Sequence, residues 1–181
     1  ESGAAPDNPA MADSAPPGPE WVEMKLRGLI VDPNSEAPVV ILREEGGSLF
    51  LPIWIGVFEA NAIALAAEGV TPRRPMSHDL MRGLLDALAA RLERIEIHAL
   101  IEGTFYARLR LRTAAGEEAI VDARPSDAMA LALRTGSPIW AAREVLDQAV
   151  STSKAYPATD EEKLREWLEK ARPEDFGKYP M

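Results

Sequence analysis

Residues 106–112 read YARLRLR, and their alternation is strict. Successive side chains of an extended chain point to opposite faces. Tyr106, Arg108, Arg110 and Arg112 therefore share one face, and Ala107, Leu109 and Leu111 share the other. The preceding stretch RIEIHAL behaves the same way, with Arg94, Glu96 and His98 opposite Ile95 and Ile97. A strand of this kind must bury one face. Two of them joined by the Glu102-Gly103 turn pair as a hairpin, and matching their polar faces sets Glu96 across from an arginine. A sheet with one apolar face needs helices to cover it, so the expected class is α+β: a compact single domain with a mostly antiparallel or mixed sheet and helices packed on it.

The rest of the pattern agrees. EMKLRGLIVD predicts a strand over 22–32, PNSEAP a turn, and VVILRE a strand over 39–44. Gly46-Gly47 predicts a tight turn and SLFLPIWIG a third strand over 48–56, completing a meander. An alanine-rich helix follows over 57–69, stopped by Gly69. Ser77 suits the cap of a second helix, HDLMRGLLDALAARLE, whose Leu80, Leu84, Leu88 and Leu92 fall at helical spacing, widened by Met81 and Leu85. Strands over 94–101, 104–113 and 117–123 come next. PSDAMALALRTG reads as a helix, SPIWA as a short strand, and 143–149 as another helix. Trp54 and Trp140 sit in short apolar strands and read as core. PIWIG at 52–56 echoes PIWAA at 138–142, and AIALAAEG at 62–69 echoes AMALALRTG at 128–136, an internal similarity that fits duplicated units.

Three stretches divide the chain of 181 residues. Residues 1–20 read as a disordered acidic leader rich in proline and alanine. Residues 21–150 form the domain. Residues 151–181 hold a polar link and a last helix capped by Thr159, with Leu164, Trp167, Leu168 and Ala171 on its apolar side. Hydrophobic residues make up 46% of the chain, enough for a sizeable core. There is no cysteine, which excludes disulfide scaffolds, thiolate zinc sites and thiol nucleophiles and suits the cytoplasm. No apolar run is long enough to cross a membrane, and the leader lacks the pattern of a signal peptide. The net charge of −9 argues against a generic nucleic-acid coat protein, but residues 24–150 carry 14 bases against 17 acids, so a local arginine cluster is compatible with it.

The chemistry-bearing residues are scattered. There is no phosphate-binding glycine loop, zinc-protease motif or nucleophile elbow. Two motifs stand out: RRPMSHDLM at 73–81 and DARPSDAM at 122–129 each place an arginine and a proline just before a helix that opens with an aspartate. Arg74 and Arg124 can hold a phosphate together with helix N–H groups. Equally, they can clamp aspartates, Arg124 with Asp122 or Asp127 and Arg74 with Asp79. His78 beside Asp79 makes a general base, or simply packs. Glu59, Asp79, Asp122 and Asp127 could supply a divalent cation, although a helix N-terminus repels cations. Tyr106, Arg108 and Arg110 form the best local nucleic-acid face, or a solvated sheet face with Glu96 neutralising it.

LPIWIGVFEANAIAL, RRPMSHDLM and VDARPSDAMALALRTGSPIW, in this order and spacing, resemble the bifunctional nuclease domain family, over roughly Met24–Val150. The resemblance implies an α+β fold, self-association as a dimer or higher homo-oligomer, and hydrolysis of RNA or DNA. The tail PEDFGKYPM is similar to endings of bacterial members. It falls on Glu59, Arg74, His78, Asp79, Asp122, Arg124, Ser126 and Asp127. The resemblance assigns these residues no roles; their chemistry suggests a site with Arg74 and Arg124 on a phosphate, His78 as base oriented by Asp79, and Glu59 as a further catalytic carboxylate. Asp122 and Asp127 would hold magnesium or manganese if a metal is used. The alternative is a non-catalytic oligomeric or regulatory module in which the Arg–Asp motifs are structural clamps.

Overall fold

The computed structural model describes residues 20–152 apart from positions 34 and 48; the expected leader and C-terminal helix lie outside the described residues. Seven strands and four helices follow in order: β1 (Trp21–Val31), β2 (Pro38–Glu44), β3 (Phe50–Trp54), α1 (Val57–Ala67), α2 (Ser77–Ala87), β4 (Arg91–Ile101), β5 (Thr104–Arg112), β6 (Glu118–Ala123), α3 (Pro125–Thr135), β7 (Ile139–Ala142) and α4 (Arg143–Thr152). One mixed sheet takes all seven strands in the order β3-β2-β1-β7-β4-β5-β6. The α+β class follows directly. Within the described residues the chain traces three antiparallel strands and a helix twice over, and β7 joins the two meanders, antiparallel to β1 and parallel to β4.

Strand alternation sets the faces. Ile95, Ile97 and Ala107 are fully buried, with Val22, Met24, Val40, Leu42, Leu51 and Ile53 continuing the same core. α1 and α3 pack on one another, α1 reaches β2, and α3 lies against β4 and β5. α3 can lie this close because Ala128, Ala130 and Ala132 keep its buried side thin, with Met129 and Leu131 filling the space between. It ends at Gly136, whose φ of +70° is the left-handed conformation that a helix stop commonly uses. α1 ends just before Gly69, also left-handed at φ +67°, as the sequence predicts. Trp54 and Trp140 are buried, and the indole N–H of Trp54 donates to Asp32 at 3.0 Å.

Helix α2 corrects two expectations. Met76, not Ser77, is the cap residue, and Ser77 is the first helical residue. The helix also stops at Ala87 instead of continuing to residue 93, and Leu92 belongs to β4, where it is buried. The turn between them is made by Ala89, which takes a left-handed φ of +50°. No glycine or proline marks that break, so the i, i+4 leucine series runs straight through it. Among the described residues, no helix is long and apolar enough to cross a membrane.

Candidate functional site

Three helices begin near one another, and each carries an acid three residues beyond its cap. These are Glu59 after Gly56 in α1, Asp79 after Met76 in α2, and Asp127 after Arg124 in α3. That position faces the free N–H groups of the first turn, where negative charge is favoured. In α2 the effect is explicit, since the Met76 N–H donates to Asp79 at 2.9 Å.

The acids are linked across the helices by Arg124 and His78. Arg124 donates through Nε to Asp127 at 2.7 Å and pairs through Nη2 with Glu59 at 2.8 Å, joining α3 to α1. The second Asp127 oxygen lies 2.9 Å from His78 Nε2, which joins α2 to α3. His78 is buried, while the Arg124 guanidinium is open to solvent. The hydrogen bond from His78, with that from Arg124, outweighs burial and pulls the Asp127 carboxyl down to about 2. Arg124 is held more firmly protonated by Asp127, against the opposing effect of burial. Ser126 is buried beside them in the first turn of α3.

Asp79 takes a different partner from the one expected. It does not orient His78, and it is not clamped by Arg74. Arg134, from the last turn of α3, donates through Nε to Asp79 at 2.6 Å. The same guanidinium donates through Nη1 to the carbonyls of Ala62 and Ala130 at 3.0 and 2.8 Å. Bonding to Arg134 first, and to the Met76 N–H second, lowers the Asp79 pKa. His78 and Asp127 lie 49 residues apart and Asp79 and Arg134 lie 55 apart, so nothing local in the sequence announces either pair. Arg74 instead stands exposed on the loop before α2, next to exposed Arg73, and neither has an ion pair among the described residues. Phe58, beside Glu59, is 89% exposed and was not singled out by the sequence. A cleft of about 430 Å³ opens on another side of α2, lined by Leu65, Pro72, Asp79, Arg82, Asp86 and Arg134, and it includes none of His78, Arg124 and Glu59.

Asp122 does not join this cluster. It lies on β6 across from Arg108, on the polar sheet face. Asp127 is already engaged by His78 and Arg124, and among the described residues no group of three or more Asp, Glu or His side chains is placed to hold a metal ion.

The polar sheet face forms a second cluster. Glu96 pairs with Arg108 in the β4–β5 register, as the alternation requires. It is fully buried and accepts from Arg94 at 2.7 Å, Arg108 at 2.5 Å and Arg110 at 3.1 Å. Burial alone would raise the Glu96 pKa, but bonding to Arg94 and Arg108 outweighs it and the carboxyl stays below its ordinary range. Arg110 also bonds Glu118 at 2.6 Å. Arg108 lies over the Trp21 ring, 5.9 Å from its centroid, and Tyr106 is exposed beside it. His98 has its pKa lowered by burial and then by the charge of Arg108.

A sequence model of the bifunctional nuclease domain matches residues 40–154, well over half of the chain. The chain belongs to the bifunctional nuclease domain family. An uncharacterised protein of Mycobacterium tuberculosis is 44% identical over 163 residues, covering 85% of this chain and 97% of that protein. Bifunctional nuclease 1 of Oryza sativa subsp. indica is 25% identical over 109 residues, 59% of this chain and 33% of the rice protein. Bifunctional nuclease 2 of Oryza sativa subsp. japonica is 25% identical over 127 residues, 68% of this chain and 39% of its own length. The part shared with the rice nucleases is thus well under half of each of them. Both arginine–proline motifs and Glu59 fall inside the matched bifunctional nuclease domain.

Proposed function

We propose that this chain hydrolyses phosphodiester bonds of single-stranded RNA or DNA at the cluster where α1, α2 and α3 begin. The observation that carries the reading is the 2.9 Å contact between His78 Nε2 and Asp127, beside the exposed Arg124. A carboxylate that accepts from one ring nitrogen leaves the other as the proton acceptor. His78 Nδ1 then takes a proton from the attacking water. The new P–O bond forms at the phosphorus as the leaving oxygen departs and is protonated from solvent. Arg124 and Arg74 supply positive charge to the phosphate, the role in which fixed cations lower such a barrier most. Glu59 meets Arg124 through one ion pair and is the partner that a phosphate would displace. The exposed Phe58 ring offers a face to an unstacked base, which favours a single strand over a duplex. Membership of the family and the names of the rice relatives support the reaction class.

A second reading is favoured by a specific fact: Arg124 and Arg134 are both occupied within the protein, which is how a structural clamp is built. One experiment separates the two. Labelled single-stranded RNA and DNA are incubated with purified protein from pH 5 to 8, with magnesium, manganese or a chelator, beside His78→Ala and Arg124→Ala chains checked by circular dichroism. Loss of the general base should slow cleavage by about 10²–10⁴-fold in His78→Ala. Cleavage that persists unchanged in a folded His78→Ala chain would end the nuclease assignment of this cluster. So would no cleavage by the unaltered chain, and the clamp reading would then stand.

A further inference from the structure

The cleft on the other side of α2 holds about 430 Å³, within the range of small-molecule sites. Asp79, Arg82, Gly83 and Asp86 line it from α2 at helical spacing, and Arg134 lines it from α3. Leu65, Val70 and Leu133 give it an apolar wall. Gly83 is the residue that the fold alone does not account for. It lies in the middle of α2 in ordinary helical conformation, where glycine is destabilising relative to alanine. A Cβ at this position would meet nothing within 4 Å, so no neighbour demands a glycine. What glycine does supply is a bare stretch of helix backbone that an occupant of the cleft can approach closely.

The charged groups around the cleft leave bonding capacity unused. The Arg134 side chain is only 6% exposed and spends Nε on Asp79 and Nη1 on the carbonyls of Ala62 and Ala130. Its Nη2 has no partner among the described residues, yet it is not sealed in, since Trp21 Nε1 is the one side-chain atom there that is both sealed and unpartnered. Nη2 therefore opens to the cleft that Arg134 lines. Asp79 is engaged on both oxygens, by Arg134 and by the Met76 N–H. Arg82 and Asp86 meet only through a long exposed contact, Nε to Oδ2 at 3.7 Å, and exposed pairs of this kind hold weakly. Free donors on two arginines and a free acceptor on one aspartate thus face an apolar wall.

We infer that the cleft binds a small zwitterion, an α-amino acid with an apolar side chain. Its carboxylate accepts from Arg134 Nη2 and Arg82, its ammonium donates to Asp86, and its side chain lies against Leu65, Val70 and Leu133. Two cations and two carboxylates line the cleft, so a ligand carrying one charge of each sign matches it. A simple organic anion would leave Asp86 unanswered, and a simple amine would leave the arginines unanswered. Full charges on both sides make stronger hydrogen bonds than the neutral edge of a nucleobase would. The inference is independent of the nuclease reading, because His78, Arg124 and Glu59 take no part in the cleft.

Calorimetric titration of the full chain with L-leucine and L-phenylalanine is expected to show saturable binding of at least one of them. The analogues that lack one charge, 4-methylpentanoate and 3-methylbutylamine for leucine, 3-phenylpropanoate and phenethylamine for phenylalanine, should bind at least about tenfold more weakly, the size of one lost charge-assisted hydrogen bond. Gly83→Leu, which fills the cleft from its floor and favours the helix, should fold by circular dichroism and bind neither amino acid. Asp86→Asn, at an exposed position, should weaken the amino acid by about tenfold without weakening the analogue that has no ammonium. Absence of binding by both amino acids would overturn the inference, and so would undiminished binding by a folded Gly83→Leu chain. A deaminated analogue, or guanosine, that binds as tightly as the amino acid would overturn the assigned ligand class.

Discussion

Two centres of this molecule use the same pair of groups in opposite proportion. On the open sheet face one buried carboxylate, Glu96, holds three arginines. At the helix starts one arginine, Arg124, serves two carboxylates, and one of these also holds His78. The sheet centre is rigid, because its members stand on paired strands at fixed spacing. Its surplus is positive and already spoken for by Glu96 and Glu118. The helix centre sits where three elements meet, its cation is open to solvent, and it contains a ring that can take up a proton. The same ion pairs thus tie strands together in one place and assemble a reactive group in the other.

The largest effect should come from the sheet. Removing Glu96 leaves three arginines crowded without their shared anion, and the loss of a buried partner costs about 3–5 kcal/mol. Glu96→Ala should lower the unfolding midpoint in urea by a corresponding margin. A small change would show that the arginines are solvated well enough to stand alone and would erase the contrast between the centres.

An intermediate effect should appear in acid. Asp127 has an ordinary value of 3.8 and is held at about 2 in the folded protein. A depressed folded value contributes stability above the unfolded value, and that contribution is lost as pH falls from about 4 towards 2. The difference is worth about 2 kcal/mol. Asp127→Asn should flatten this part of the stability–pH curve, measured by chemical denaturation. A curve with the same slope in the variant would place the acid sensitivity elsewhere.

The smallest structural effect should come from Arg74. It is exposed and unpaired among the described residues, so Arg74→Ala should change stability by less than about 0.5 kcal/mol. If it meets a phosphate, binding of a single-stranded oligonucleotide should weaken and its salt dependence should fall by nearly one released counterion. Unchanged binding and salt dependence would leave Arg124 as the only arginine of the two motifs at the site.

Legibility in the sequence followed the range of the interaction. The Glu96–Arg108 pairing could be read directly, because strand alternation fixes both faces and a short turn fixes the register. Arg124 with Asp127 was within reach as one of two local options, three residues apart. His78 with Asp127 and Asp79 with Arg134 were not, because packing of separate helices decides them. The acids at 59, 79 and 127 share a position three residues after their helix caps, but that recurrence emerges only once the structure places the second cap at Met76 rather than Ser77. The length of α2 was misread for a local reason: Ala89 makes the break in a conformation usually left to glycine. Helical spacing also showed that α2 has an apolar side without showing that this side faces outward.

The position of β7 has a consequence for how the molecule is made. Among the described residues it is the last strand in chain order, and it is the central strand of the sheet. A ribosome therefore delivers both meanders before the piece that unites them. Until Ile139–Ala142 has emerged, β1 and β4 each present an open edge, and the nascent chain is two half-sheets awaiting a shared rail. A chain cut short before residue 139 would keep those edges exposed, and exposed edges are what invite strands of other chains to pair. Completing a protein of this design is thus a late event, decided by four residues.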